Sequence, residues 1–321
     1  MSTTPPYLNK RCASSWLLAA AMIAVFTASC GPADYQEPVK RFQQASDVVI
    51  AATRSFLSHE NTVEENAVID REVFEQKPID PAAITEADVI SPQEIKLRTE
   101  ALDALAKYTA NLGQLASGKA GAEVGKDTKT LSDSLKKLAE DATSGSGAKG
   151  TILDNNKFSG IAGAAAGAIG AVAQLMIDRK ARHELEHAIV SNDAAVQQLI
   201  QLIADDSTLA YERQKTTLSA NGVQMYNIYK EELQRSNRDP VLLLLMADRI
   251  KSFRSQESLL PSANPAAAIL AMKKAHTALV SSVATKNSSQ SLSELVKAVH
   301  DFVSAAEPLG SAVQALVKAT E

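Results

Sequence analysis

Aromatic side chains are scarce in this chain of 321 residues, at 4% of the total. The sequence also lacks any segment in which apolar and polar residues alternate between turn residues, so no β-strand is predicted. Alanine, in contrast, is abundant. A core made from this composition must pack small and aliphatic side chains, and alanine is the residue that favours helices most.

The apolar run near the N-terminus is too short to span a bilayer comfortably. Lys10 and Arg11 precede it, it covers residues 16–26, and the small residues 27–30 follow. A basic start, a short apolar centre and a small-residue end are typical of a secretory signal peptide. We therefore expect the protein to be exported.

Residues 27–30, with the sequence Thr-Ala-Ser-Cys, resemble the lipobox of bacterial lipoproteins. Thr27 stands where that family usually has leucine. The resemblance implies a signal peptide over 1–29, attachment of fatty acyl chains such as palmitate to Cys30, and anchoring in a membrane. Gly31 follows the cysteine, which is similar to the pattern of lipoproteins that are sorted to the outer membrane.

Neither a thiol pair nor an excess of positive charge remains after such cleavage. Cys12 leaves with the signal peptide, so no internal disulfide is expected. Loss of Lys10 and Arg11 leaves 31 basic residues against 37 acidic ones, a net charge of −6. That mild acidity argues against nucleic-acid binding and against a polybasic membrane patch. The alternative is an ordinary signal peptide cleaved near Ala28.

Apolar residues recur every three or four positions along most of the mature chain, and no repeat of fixed length is present. This spacing places the apolar residues on one face of a helix. The sequence therefore predicts a tether over 30–37 and a single all-α domain over 38–321. We expect an elongated antiparallel bundle of long amphipathic helices, packed in the manner of a coiled coil.

Capping patterns mark where several helices begin. Ser91 with Glu94, and Ser291 with Glu294, have the spacing of capping boxes. Asp239 can cap the helix that starts at the proline after it. Lys77 to Ile90 is expected to be a loop.

Three further features bear on how the helices pack. The Ser-Asn-Asp sequence at 191–193 predicts a break between two helices and a new cap. Residues 241–246 are apolar on every side, so they are either deeply buried or an interaction surface. His276 falls beside an apolar stripe, where we expect a partly buried histidine with a structural role.

Residues 159–177 are rich in glycine and alanine and carry no charge. Gly163, Gly167 and Gly170 would each cost about 1 kcal/mol relative to alanine inside a helix, so a compensating contact is needed. Close packing against a neighbouring helix is our first interpretation. The alternative is membrane insertion, because the segment spans roughly 28 Å as a helix and contains a Gly-xxx-Gly pair. In outline, though not in motif, such a protein resembles the α-helical pore-forming toxins.

The string His-Glu-Leu-Glu-His at 183–187 matches the zinc-protease pattern, with His183 and His187 as ligands and Glu184 as base. A catalytic zinc needs a third ligand, and Glu212 is the candidate by sequence distance. If the chain reverses near residue 191, Glu212 lies roughly 30 Å from the turn, too far from the histidines. No sheet of the kind found around such sites is predicted. We interpret the string as part of a solvated helix face, so no metal, cofactor or catalytic residue is predicted.

The sequence as a whole favours an exported, lipid-anchored protein of the cell envelope, expected at the outer membrane. Its function would be that of a non-enzymatic binding or scaffold module. It would contact the membrane through Cys30, and a protein partner or a second copy through apolar helix faces; no nucleic acid is expected. The first alternative is a membrane-inserting, pore-forming-like protein that uses 159–177. A zinc hydrolase that uses His183 and His187 comes last.

Overall fold

The computed structural model describes residues 36–87, 90–116, 170, 182–285 and 288–320. Most of these residues are helical and none of them is in a strand, which confirms the all-α prediction. The helices are α1 (Gln36–Phe74), α2 (Pro81–Glu86), α3 (Pro92–Ala116), α4 (Arg182–Gln234), α5 (Pro240–Leu259), α6 (Ala266–Ala284) and α7 (Ser289–Lys318). A 3₁₀ turn, Leu260–Ala263, connects α5 to α6. Within this part of the chain, none of the helices is both long enough and apolar enough to cross a membrane.

Two of the three predicted caps are present. The Ser91 backbone N–H donates to Glu94 at 2.8 Å, and the Glu94 N–H donates back to the Ser91 hydroxyl at 3.3 Å. Asp239 accepts from the first N–H groups of α5, as expected. The third cap was placed one turn too late, because Ser288 begins α7 by accepting from the Ser291 N–H. The loop expected after Lys77 contains the short helix α2.

The predicted break at 191–193 is wrong, since α4 runs through it without interruption. Asp193 does not cap a new helix. Its carboxylate lies 3.2 Å from Nδ1 of His276 in α6 and accepts a hydrogen bond from Gln197. A contact between helices therefore uses the side chain that the sequence pattern assigned to a cap.

Six helices, α1 and α3 to α7, share one apolar core. Each buried leucine, isoleucine or phenylalanine side chain contributes about 1.5–3 kcal/mol relative to an exposed one. The largest side chains with almost no exposed surface are Tyr108, Phe42, Phe56, Phe302, Ile90, Leu105, Leu199 and Ile200.

Helices α1 and α7 run in the same direction. The rings of Phe42 and Phe302 lie 5.6 Å apart between centroids, and the Thr320 hydroxyl lies 3.3 Å from His59 Nε2. Residue numbers thus rise together along α1 and α7, which makes this pair parallel. No hairpin joins the two helices, so the connection does not force them to be antiparallel.

Helix α3 runs against α1. The Asn61 side chain bonds both the backbone N–H and the carbonyl of Ile90, whereas Gly113 lies beside Gln43. The bundle therefore mixes both directions, and the antiparallel arrangement predicted from sequence holds only for some pairs.

Candidate functional site

The residues of the predicted glycine and lipid sites fall almost entirely outside the described part. Cys30, Gly163 and Gly167 lie outside it, and Gly170 is helical and half-buried. Lipidation of Cys30, and the choice between packing and membrane insertion for 159–177, therefore stay predictions.

The zinc-protease string lies at the start of α4, where the backbone of His183, Glu184 and His187 is helical. Glu212 is on the same continuous helix, 25 residues after His187, which corresponds to about 38 Å. This distance rules out Glu212 as their third ligand within one molecule. Elsewhere among the described residues, no three metal-ligating side chains come together.

His276 is completely buried, more so than the sequence suggested. Its Nε2 lies 2.7 Å from the Tyr108 hydroxyl, and its Nδ1 faces Asp193 at 3.2 Å and Gln197 at 3.1 Å. The bond to His276 is the largest effect on Asp193 and holds the pKa of that carboxyl below its usual range. Burial raises the pKa of Tyr108 above its ordinary value. With Tyr108 and His276 closed off from solvent, this network ties α3, α4 and α6 together.

A second polar cluster lies where α1, α3 and α4 meet. Arg98 of α3 donates two hydrogen bonds to Asp206 of α4, at 2.8 and 2.9 Å, with both side chains about 95% buried. Arg213 of α4 places Nε 3.5 Å from Oε1 of Glu60 in α1, and Glu60 is only 1% exposed. The Gln214 amide donates to the carbonyl of Phe56 at 3.0 Å.

The polar contacts continue towards the C-terminal end of α1. The Thr217 hydroxyl donates to Glu64 at 2.6 Å. Further along, Arg249 of α5 donates to Asp70. We call the set Glu60, Glu64 and Asp70, with their partners in α4 and α5, the polar seam. It shows that the end of α1, the second half of α4 and the middle of α5 lie together at one end of the bundle.

Sequence reasoning missed this seam although a signal was present. In α4, Asp206 and Gln214 continue the three- and four-residue spacing that leads from Ile203 to Leu218. Glu60 likewise continues the stripe of α1, four residues after Phe56. A polar residue at a core position of a helix indicates a buried polar contact, but the sequence does not name its partner.

Apolar side chains are exposed at the same end of the bundle, where α4 and α5 form a hairpin. Between 44% and 66% of each of these side chains is exposed. We call the set the hairpin surface, and it consists of Val223, Tyr226, Leu233, Val241, Leu244 and Leu245. Of the apolar run 241–246, only Met246 is fully buried, so the interaction-surface interpretation fits this run better than deep burial.

Comparison of the chain with protein-family models, with curated proteins and with solved structures gives no match. Of the features described, the hairpin surface and the polar seam are the two that packing of the core does not explain.

Proposed function

We propose that this protein is a lipid-anchored, non-enzymatic scaffold of the bacterial cell envelope, exported and held at the outer membrane. Acyl chains on Cys30 would anchor it, and the hairpin surface would bind a second copy. The observation that carries the proposal is the exposure of six large apolar side chains at one end of the bundle. Exposed apolar patches are typical of protein interaction sites.

The geometry separates the anchor from the hairpin surface. Cys30 precedes the start of α1 by six residues, which span at most roughly 20 Å. Helix α1 has 39 residues and is about 58 Å long. Its far end, at Asp70, contacts Arg249 of α5 close to the hairpin surface. An anchored molecule would therefore present this surface away from the site of lipidation.

A second copy is the partner that the local charges favour. Residues 230–239 contain three basic and three acidic side chains, which are Lys230, Arg235, Arg238, Glu231, Glu232 and Asp239. Glu232 is only 4% exposed and pairs with Arg235, so the segment as a whole carries no net charge and can face a copy of itself without net repulsion. Copies anchored in one membrane also present the same surface at the same height, which raises their effective concentration.

The anchor is tested by changing Cys30 to serine and separating membrane from soluble fractions. Multiple acyl chains hold a protein firmly, because each buried methylene contributes about 0.8 kcal/mol. We expect the variant to leave the membrane fraction and the unchanged chain to stay in it. Equal membrane association of the two chains would contradict lipid anchoring.

The self-association is tested separately with Leu244→Asp, analysed by chemical cross-linking of intact envelopes. A charge at this position should abolish the cross-linked dimer without releasing the protein from the membrane. Val296→Asp is the control, because Val296 is also exposed, at 53%, but lies in α7 away from the hairpin. A dimer that persists in Leu244→Asp, or a cross-link only to a different protein, would contradict a second copy as the partner.

Membrane insertion through 159–177 is the second candidate, favoured by the absence of charge in that segment. It predicts that the purified chain releases dye from liposomes and that Ile169→Asp stops the release. The scaffold proposal predicts no release from either chain.

A further inference from the structure

Glu60 is a buried carboxyl group without a hydrogen-bond partner. The residue is 1% exposed, and neither of its carboxylate oxygens accepts a hydrogen bond from the described residues. Its nearest cation is the Arg213 guanidinium, with Nε 3.5 Å from Oε1, in an ion pair without a hydrogen bond. An ionised carboxylate in such a place loses its stabilisation by water, and no hydrogen bond from the described part of the chain replaces that stabilisation.

The charged groups around Glu60 come from three helices. Helix α1 contributes Glu64, α3 contributes Arg98, and α4 contributes Asp206 and Arg213. Because Arg98 is already bonded twice to Asp206, that pair offers Glu60 little net positive charge. Glu64 adds a like charge one helical turn away. Only Arg213 therefore favours ionised Glu60 strongly among these groups.

The position of Glu60 gives its charge a structural consequence. It begins the polar seam, and beyond it α1 is attached to α4 and α5 through Glu64 and Asp70. Towards the start of α1 the buried side chains are mainly apolar and include Phe42 and Phe56, which pack with Phe302 of α7 in the shared core. Beyond residue 60 the buried apolar side chains of α1 are Val63 and Phe74, so polar contacts make up a larger share of its packing there.

We propose that Glu60 is a proton-controlled latch between α1 and α4, which is closed when its carboxyl is neutral and weakened when the carboxyl ionises. Opening loosens residues 60–74 of α1 from α4 and α5, at the end of the bundle that carries the hairpin surface. The latch depends on packing within one chain, so it is independent of lipid anchoring and of dimer formation.

The direction of the pH effect follows from the folded state's affinity for the proton. Burial is the largest effect and raises the pKa of Glu60 to about 7, against the opposing influence of Arg213. The closed form therefore holds the proton more tightly than the open form. Closure is strongest in acid, weakens as pH rises from the ordinary value of 4.5 towards about 7, and changes little above that. Between about pH 6 and about pH 8.5 the opening equilibrium should rise roughly tenfold.

Hydrogen exchange measured by mass spectrometry on the full chain tests the latch. Exposure times are scaled for the intrinsic pH dependence of amide exchange, and peptides that cover 60–74 and 207–221 are compared at the two pH values. We expect about tenfold faster opening at the higher pH in the unchanged chain. Glu60→Gln should show equal protection at both, since its side chain is neutral throughout.

The control is Glu212→Gln, which removes an exposed carboxylate next to Arg213 on α4. It should keep the pH dependence of the unchanged chain. Equal protection of the unchanged chain at both pH values would overturn the proposal. So would a Glu60→Gln variant that still opens about tenfold faster at the higher pH.

Discussion

Arg98 in α3 and Asp206 in α4 form a buried, two-bonded ion pair at 2.8 and 2.9 Å. About 5% of either side chain is exposed. The two hydrogen bonds stabilise the pair, whereas burial removes the hydration of both charges. It fixes how α3 lies on α4, next to the latch residue Glu60. Its stability therefore depends on both partners being present.

Removal of one partner should destabilise the protein strongly. Asp206→Asn leaves the Arg98 charge buried and uncompensated, and we expect a loss of about 3–5 kcal/mol in the free energy of unfolding by chemical denaturation. Asp248→Asn breaks an exposed pair with Lys251 and should cost less than about 1 kcal/mol. Equal losses in the two variants would contradict a structural role for the buried pair.

His59 should make the protein less stable in acid. Burial lowers the pKa of His59 to about 4, so the folded state binds a proton less readily than the unfolded state. Stability is then unaffected by this group above its ordinary pKa of 6.5 and is lost as pH falls from there through about 4, by about 3 kcal/mol. Denaturation curves of His59→Gln should show a smaller decline. His300→Gln changes an exposed histidine and should leave the decline in stability at low pH the same as in the unchanged chain.

Two helical glycines should respond differently to alanine. At Gly222 an added Cβ would lie 3.7 Å from Phe253 Cβ, an ordinary contact, so Gly222→Ala should raise stability by up to about 1 kcal/mol. At Gly310 it would lie 3.3 Å from Val48 Cγ1 where α1 contacts α7, which is closer than usual. Gly310→Ala should therefore gain less or lose stability. Melting temperatures check both, and a larger gain at Gly310 would contradict the packing described.

The zinc-protease string should not make the protein a zinc hydrolase. We expect metal analysis of the purified chain to find less than one zinc per molecule, and peptidase assays to find no activity. Stoichiometric zinc that is lost in His187→Ala, with activity lost in Glu184→Gln, would contradict this prediction.

Local features of the fold could be predicted from the sequence where neighbouring residues determine them. The helical class follows from apolar spacing, and the caps at Ser91 and Asp239 are made within a few residues of chain. The predicted break at 191–193 was wrong because the Asp193 carboxylate contacts His276 of α6, which is 83 positions away in sequence. No local pattern contains that partner.

The same limit applies to the candidate sites. The apolar run 241–246 could be recognised as buried or interacting, but only the packing of α4 on α5 leaves Leu244 and Leu245 exposed. Glu60 and Arg213 are 153 positions apart in sequence, so their meeting depends on helix packing. The parallel direction of α1 and α7 also required the structure, since helices at the two ends of the domain have no connecting turn to constrain them.

Disulfide cross-linking in intact envelopes tests the central claim most directly. Leu245→Cys and Val296→Cys place a thiol at positions of nearly equal exposure, 54% and 53%, on the hairpin surface and on α7 respectively. Both are made with Cys12 changed to serine, and Cys30 is retained for the anchor. An anchored scaffold that dimerises through the hairpin predicts a disulfide-linked dimer in the membrane fraction for Leu245→Cys and little for Val296→Cys. Equal dimer in both variants, or none in either, would contradict it.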